Sequence, residues 1–155
     1  MTDFILTAMK ASDYNEVSEL WHTIKGFAIR SIDDSYEGVE LFLKRNPTTS
    51  VVARKDGRLV GAILCGHDGR RGCLYHVCVH KDFRRQGIGK AMVVFCMEAL
   101  KAEKINKVSL IAFTKNDIGN AFWNSIGWTQ RKDLNYYDFT LNDANITAFI
   151  EDDAN

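Results

Sequence analysis

An apolar stretch ending at Val79, then a basic loop, then two glycines opening a helical pattern constrain this chain more than any other feature. The run reads His76-Val77-Cys78-Val79-His80-Lys81-Asp82-Phe83-Arg84-Arg85-Gln86-Gly87-Ile88-Gly89-Lys90-Ala91. Gly87 and Gly89 lack a Cβ, so a ligand can approach their backbone closely. The first N–H groups of a helix have no intrahelical acceptor and sit at the positive end of its macrodipole. Arg84, Arg85 and Lys90 place full charges beside them. Such a turn is an anion cradle. Charge-assisted hydrogen bonds are worth roughly 1.5–3 kcal/mol each, so three or four would anchor a pyrophosphate.

The surrounding pattern predicts the fold. From Gly87 to about Glu103, Ile88, Met92, Phe95, Cys96 and Ala99 form one helical stripe. With strands expected at 73–80 and 107–113, this is a βαβ unit whose strands run parallel through a right-handed crossover. Upstream, Phe4–Met9 suits a strand, and a helix capped by Ser12 or Asp13 runs to about Lys25 with Val17, Leu20, Trp21 and Ile24 on one face. A second helix is expected from Ser35 to Asn46, stopped by Pro47. Ser50–Arg54 and Leu59–Gly66 flank Asp56-Gly57, a hairpin signal. Downstream come a helix at Asp117–Ser125 and closing strands at Trp128–Arg131 and Asn135–Leu141. A domain is expected over 1–141, followed by a polar C-terminal tail over 142–155 that frays. The 155 residues suit one domain of mixed α and β structure, a layer of sheet covered by helices.

Composition removes several function classes. Twenty Lys and Arg balance twenty Asp and Glu, so the basic excess that nucleic-acid binding wants is absent and no nucleic-acid partner is expected. No apolar run approaches the ~18–20 residues that span a bilayer, so no membrane partner is expected either. The N-terminus carries no cationic leader, and the chain reads as cytoplasmic. Cys65, Cys73, Cys78 and Cys96 sit in apolar stretches without a C-x-x-C pair, which suits reduced, buried thiols. His76 and His80 are four residues apart on a strand, ~13 Å, too far to share one metal ion. No metal is expected. A dinucleotide fingerprint also fails, because Met92 stands where the third small residue belongs and no acidic residue follows the 107–113 strand.

Arg84-x-x-Gly87-x-Gly89 after Val77-Cys78-Val79 resembles the acyl-CoA loop, R/Q-x-x-G-x-G/A, of the GNAT superfamily of N-acetyltransferases. Asn116-x-x-Gly119-x-x-Phe122-Trp123-x-x-x-Gly127-Trp128 resembles that family's second signature, N-x-x-A-x-x-F-Y-x-x-x-G-F. The resemblance covers Phe4 to about Leu141. It implies an α+β (α/β-like) fold: a single mixed, mostly antiparallel sheet with one parallel, splayed strand pair, flanked by about four helices. It implies acetyl-CoA as co-substrate and an amine as acceptor. The free backbone of Val77, Cys78 and Val79 would pair with the pantetheine amides, and an N–H near Cys78 would polarise the thioester carbonyl. The loop Arg85, Gln86, Gly87, Ile88, Gly89, Lys90 would hold the pyrophosphate, with Arg84 ordering the loop or contacting phosphate. Asn116 would meet the pantetheine arm, and Phe122 and Trp123 the thiol end. Members of this family often pair into homodimers, though nothing in the sequence marks an interface.

The implied chemistry is attack of an amine on a thioester. A lysine-like amine of pKa ~10.4 is neutral about once in 2,500 molecules at pH 7, so a general base helps it far more than an α-amino group. His76 is the histidine inside the motif strand and is the candidate base; the alternative is a structural histidine. Trp123 stands where many members carry a tyrosine acid, and an indole N–H does not supply a proton at neutral pH. Either no acid is needed, or Tyr136, Tyr137 or Tyr75 takes that place; Tyr136 is carried forward as a second catalytic candidate. The acceptor side falls at Trp21–Glu40 and Leu134–Phe139. There Asp33, Asp34, Glu37 and Glu40 would suit a cationic amine or simply form a solvated helix face. Trp21, Phe27 and Tyr36 would line a pocket or the core. The leading reading is an N-acetyltransferase on a small-molecule or peptide amine. The alternatives are a protein lysine or N-terminal acetyltransferase and a non-catalytic acyl-CoA sensor.

Overall fold

A computed structural model describes residues 3–151. In chain order it contains β1 (Ile5–Ala8), α1 (Tyr14–His22), β2 (Ala28–Arg30), α2 (Tyr36–Arg45), β3 (Val51–Lys55), β4 (Arg58–His67), β5 (Gly72–Val79), α3 (Ile88–Ala102), β6 (Val108–Ser109), α4 (Asp117–Ser125) and β7 (Thr147–Phe149). Single 3-10 turns precede α1 at Ala11–Asp13 and follow β5 at Lys81–Phe83. The Ser35 hydroxyl caps α2 by accepting the Gly38 N–H at 3.0 Å. The β3–β4 turn uses Asp56 and Gly57 at φ 51° and 78°, the left-handed pair that a two-residue hairpin requires.

Five strands form one sheet in the order β1-β3-β4-β5-β6. All pairs are antiparallel except β5 with β6. The expected mixed sheet with one parallel pair and four helices is therefore present. The period of two along each strand splits the core between its faces. Val52, Ala62, Leu64 and Cys78 pack with α1 and α2, around Trp21, Val17 and Val39. Val51, Ala53, Val60, Ile63 and Leu74 pack with α3, around Ile88, Met92 and Cys96. Because both faces of β4 are covered, eight consecutive residues from Leu59 to Gly66 are buried. A Cβ on Gly61 would sit 2.9 Å from Met92 Cε and 3.3 Å from the Cys78 carbonyl oxygen. Gly61→Ala is therefore expected to cost about 1–3 kcal/mol through overpacking. A urea titration should show a lower midpoint at unchanged slope.

Three expectations about the C-terminal third are corrected. No strand forms at Trp128–Arg131 or Asn135–Leu141. Alternating apolar residues suit a strand, but a strand needs a partner, and no backbone hydrogen bond ties residues 129–141 to the rest of the described chain. β6 is also far shorter than 107–113, because its pairing with β5 stops at Ser109. Third, the polar segment from Asn142, expected to fray, carries β7, which pairs antiparallel with β2 in a separate two-stranded ladder. Its polarity serves cross-chain bonds. Ser31 and Ile146 exchange bonds through backbone and hydroxyl, the Asn145 Oδ1 accepts the N–H groups of Ile32 and Asp33, and Ile150 exchanges backbone bonds with Gly26 and Phe27. The last four residues of the expected tail, 152–155, lie outside the described residues. The three-residue β2 was too short to show a period in the sequence.

Candidate functional site

The site begins with a gap in the sheet. β5 and β6 are in register only at Gly72–Val108 and Cys73–Ser109, and beyond that point β5 has an open edge. Which backbone groups face the opening follows from strand alternation. The His80 N–H donates to the Val60 carbonyl on β4 at 2.8 Å, and Cys78 lies opposite Ala62. The backbone groups of Cys78 thus point into the β4 ladder, while those of Val77 and Val79 point into the gap. Cys78 itself contributes a buried thiol, pushed up to about 12 by burial.

The loop after β5 is tied down before the helix starts. Arg84 Nε donates to the Val79 carbonyl at 3.1 Å, folding the loop against the strand end. Arg85 and Gly87 adopt left-handed φ values of 61° and 82°, which lets successive N–H groups turn toward a common point. The Ala91 N–H makes the first α3 bond, to the Gly87 carbonyl at 3.1 Å. The N–H groups of Ile88, Gly89 and Lys90 therefore have no helical acceptor. Buried Ile88 anchors this turn in the α3 core. Gln86 accepts a 2.6 Å bond from Lys55 Nζ. The side chains of Arg85 and Lys90 are exposed and have no partner among the described residues.

α4 closes one side of the gap. Asn116 Oδ1 accepts the Gly119 N–H at 3.0 Å and caps the helix. A Cβ at Gly119, where the family signature has alanine, would run into the Asn116 amide. Phe122 lies against the first turn of α3: a Cβ on Gly89 would sit 3.5 Å from its ring and 3.7 Å from Val79 Cγ2. That spacing explains a motif position satisfied by glycine or alanine. Trp123 sits between Phe122 and Trp128, with ring centroids 5.0 and 4.8 Å away, and packs on the α3 core.

On the opposite face a bulge reshapes β5. Ala62 lies opposite Cys78 but Leu64 opposite Tyr75, so Ile63 faces the pair His76 and Val77. His76 takes φ 50°, a conformation costing a non-glycine residue about 1–3 kcal/mol. The phase slip puts consecutive side chains on one layer: Tyr75 meets Phe42, and His76 lies between Trp21 and Phe27 with centroids at 4.8 and 5.2 Å. His76 Nε2–H donates to Asp34 Oδ1 at 2.9 Å, where Asp34 is 7% exposed. Asp34 Oδ2 in turn accepts the Arg30 N–H at 2.7 Å. Nδ1 of His76 carries no partner among the described residues. Pairing between residues 42 positions apart is invisible to spacing rules, so the sequence singled out His76 and Asp34 separately and never together.

The acidic stretch resolves in the same way. Asp34 serves His76, Asp33 accepts from the Asn145 amide and Glu40 from the Tyr36 hydroxyl, leaving exposed Glu37. Trp21 is core, and its buried indole N–H has no partner among the described residues. Tyr136 and Tyr137 are exposed, and Tyr136 lies near enough to Tyr75 to perturb it electrostatically. Burial raises the Tyr75 hydroxyl to about 12. His80 accepts from Arg58 Nη2 at 3.2 Å, and no cluster of three or more metal-ligating side chains occurs among the described residues. No helix among them is long and apolar enough to cross a membrane.

This geometry has close counterparts. The Acetyltransferase (GNAT) family model matches residues 14–128. An acetyltransferase from Sodalis glossinidius is 31% identical over 112 residues, 72% of this chain and 78% of its own. One from Pectobacterium atrosepticum is 32% identical over 108 residues, 70% and 75% of the two chains. In structure, the PaiA N-acetyltransferase of Thermoplasma acidophilum, solved with coenzyme A, superposes with a TM-score of 0.73 at 13% identity, covering 94% of this chain and 97% of that one. The family match spans α1 to the end of α4, so it includes the open strand edge, the glycine loop and the Asn116 cap together. The chain belongs to the GNAT family and is an acetyl-CoA-dependent acyltransferase.

Proposed function

We propose that this enzyme acetylates a primary amine of a small molecule or peptide, the amine attacking acetyl-CoA directly while both are bound. The observation that carries the reading is the position of the open β5 edge. It runs from the N-terminus of α3 to the His76–Asp34 pair. The residues fit the co-substrate: the N–H groups of Arg85 to Lys90 take the diphosphate, with Arg85 and Lys90 side chains beside it. The backbone of Val77 and Val79 pairs with the pantetheine amides as an added strand would. Asn116, Phe122 and Trp123 border that arm from α4. Bound acetyl-CoA supplies the acyl group as a thioester.

His76 Nδ1 takes the proton of the attacking amine, directly or through one water. Asp34 holds the imidazole in the orientation that leaves Nδ1 open and stabilises the cation that forms. A Val77 N–H facing the gap stabilises negative charge developing on the carbonyl oxygen. Trp123 donates a hydrogen bond at most.

The test is thiol release from acetyl-CoA by the purified enzyme across polyamines, amino sugars, free amino acids, and peptides with free N-termini or lysines. Turnover with at least one small amine or peptide is expected. Tight acetyl-CoA binding without turnover on any of them would overturn the reading in favour of a sensor. Turnover confined to folded protein acceptors would overturn the acceptor class.

A further inference from the structure

At the end of the sheet away from the glycine loop the chain builds a second concavity, a cleft of about 310 Å³. β5 begins at Gly72, on the lining of this cleft, and ends at Val79, about 20 Å further along the strand. One wall is a face of α2: Phe42, Arg45 and the cap residue Asn46 fall at i, i+3 and i+4 and so lie side by side. The rings of Phe42 and Tyr75 meet edge to face at 6.1 Å, and Tyr75 is 49% exposed, so part of this apolar wall stays open.

The polar side consists mainly of donors. Arg45 has no partner among the described residues, and Arg71 uses only Nη1, on the Arg70 carbonyl at 3.2 Å. His67 Nδ1 accepts the Gly69 N–H at 3.0 Å, so the neutral ring carries its proton on Nε2. Asn46 is 4% exposed. Its Oδ1 accepts the His67 N–H at 3.0 Å, while its Nδ2 reaches only the Phe42 carbonyl, at 3.4 Å, which leaves one amide proton over. Gly66 makes room for that amide, since a Cβ there would lie 2.7 Å from Asn46 Nδ2 and from Phe42 Cζ. The carboxylate of the lining, Asp68, clamps the β4–β5 turn, its Oδ1 accepting the N–H groups of Arg70 and Arg71 at 2.8 Å each. Two guanidinium groups against one clamped carboxylate leave the cleft locally positive in a chain of zero formal net charge.

We propose that this cleft binds a small organic anion, a carboxylate carried on a flat apolar ring. Guanidinium groups grip carboxylates through forked, charge-assisted bonds, and the Phe42–Tyr75 wall takes the ring. The buried Asn46 amide, with a proton to spare beside them, fixes the orientation. The volume is at the small end for ligand pockets, which suits a single ring. The site uses neither His76 nor the glycine loop, so it stands or falls separately from the proposed reaction.

The probe is para-fluorobenzoate, followed on the full chain by fluorine NMR and by amide chemical shifts. Binding with a Kd of about 1 mM or tighter is expected, unaffected by saturating coenzyme A, with shifts centred on Gly66, His67 and the Asn46 side chain. Neutral para-fluorobenzamide and inorganic phosphate should each bind about 10-fold or more weakly, one lacking the charge and the other the ring. Arg45→Gln combined with Arg71→Gln should weaken fluorobenzoate about 10-fold or more. Both side chains are exposed, so far-UV circular dichroism should not change. Absence of binding at about 10 mM overturns the proposal, as do displacement by coenzyme A and shifts centred on Ile88–Lys90. Phosphate or the benzamide binding as well as fluorobenzoate overturns the ligand class, and indifference to the double substitution overturns the site.

Discussion

His76→Gln is expected to lower kcat by about 10²–10⁴-fold, the usual worth of a positioned general base, with little change in the KM for acetyl-CoA. A merely structural His76 would instead cost stability and leave kcat of the folded variant near that of the wild type. Asp34→Asn supplies the companion measurement. Asp34 touches no reacting atom, so it acts as a positioning residue through a 2.9 Å bond to Nε2. Its loss should lower kcat by about 10–100-fold without altering acetyl-CoA affinity. The pair faces Trp21 and Phe27 rather than solvent, which strengthens the charge interaction that forms when the imidazole takes a proton.

Arg85→Ala combined with Lys90→Ala is expected to raise the Kd for coenzyme A by about 10²-fold or more. Two charge-assisted bonds of about 1.5–3 kcal/mol each are lost, at 1.4 kcal/mol per factor of ten. Calorimetric titration should show the difference shrinking as salt rises. A pantetheine fragment without the diphosphate should bind wild type and variant alike. Arg84→Ala should behave differently, because its guanidinium holds the Val79 carbonyl: affinity falls through disorder of the loop, and the loss extends to the fragment. Unchanged affinity for coenzyme A in the Arg85, Lys90 variant would place the diphosphate elsewhere.

What could be read in advance divides by range. The Asp56-Gly57 turn, the helix beginning at Ser35, the α3 stripe and the glycine loop are written in residues within a few positions of each other, and all appear close to where the spacing put them. The bulge was not legible. Strict alternation sets His76 opposite Val77, which holds, but gives no hint that Tyr75 and His76 share a layer; that follows from Ile63 facing two residues on the neighbouring strand. Nor was the parity of the open edge, which turns the backbone of Val77 and Val79, rather than Cys78, toward the gap. At 135–141 the sequence pattern of a strand is real, yet a ladder also needs an edge to pair with, and a single sequence does not name its partner. The polar segment after Asn142 misled for the opposite reason, since side chains suited to water also suit a strap stitched by Ser31 and Asn145.

That strap has a reach beyond its own ladder. Asn145 grips the N–H groups of Ile32 and Asp33, next in line to the carboxylate that aligns the imidazole. The 142–150 segment thus acts as a splint on His76, the base proposed above. Clipping it off would slacken the alignment and dull turnover while leaving the coenzyme's berth untouched.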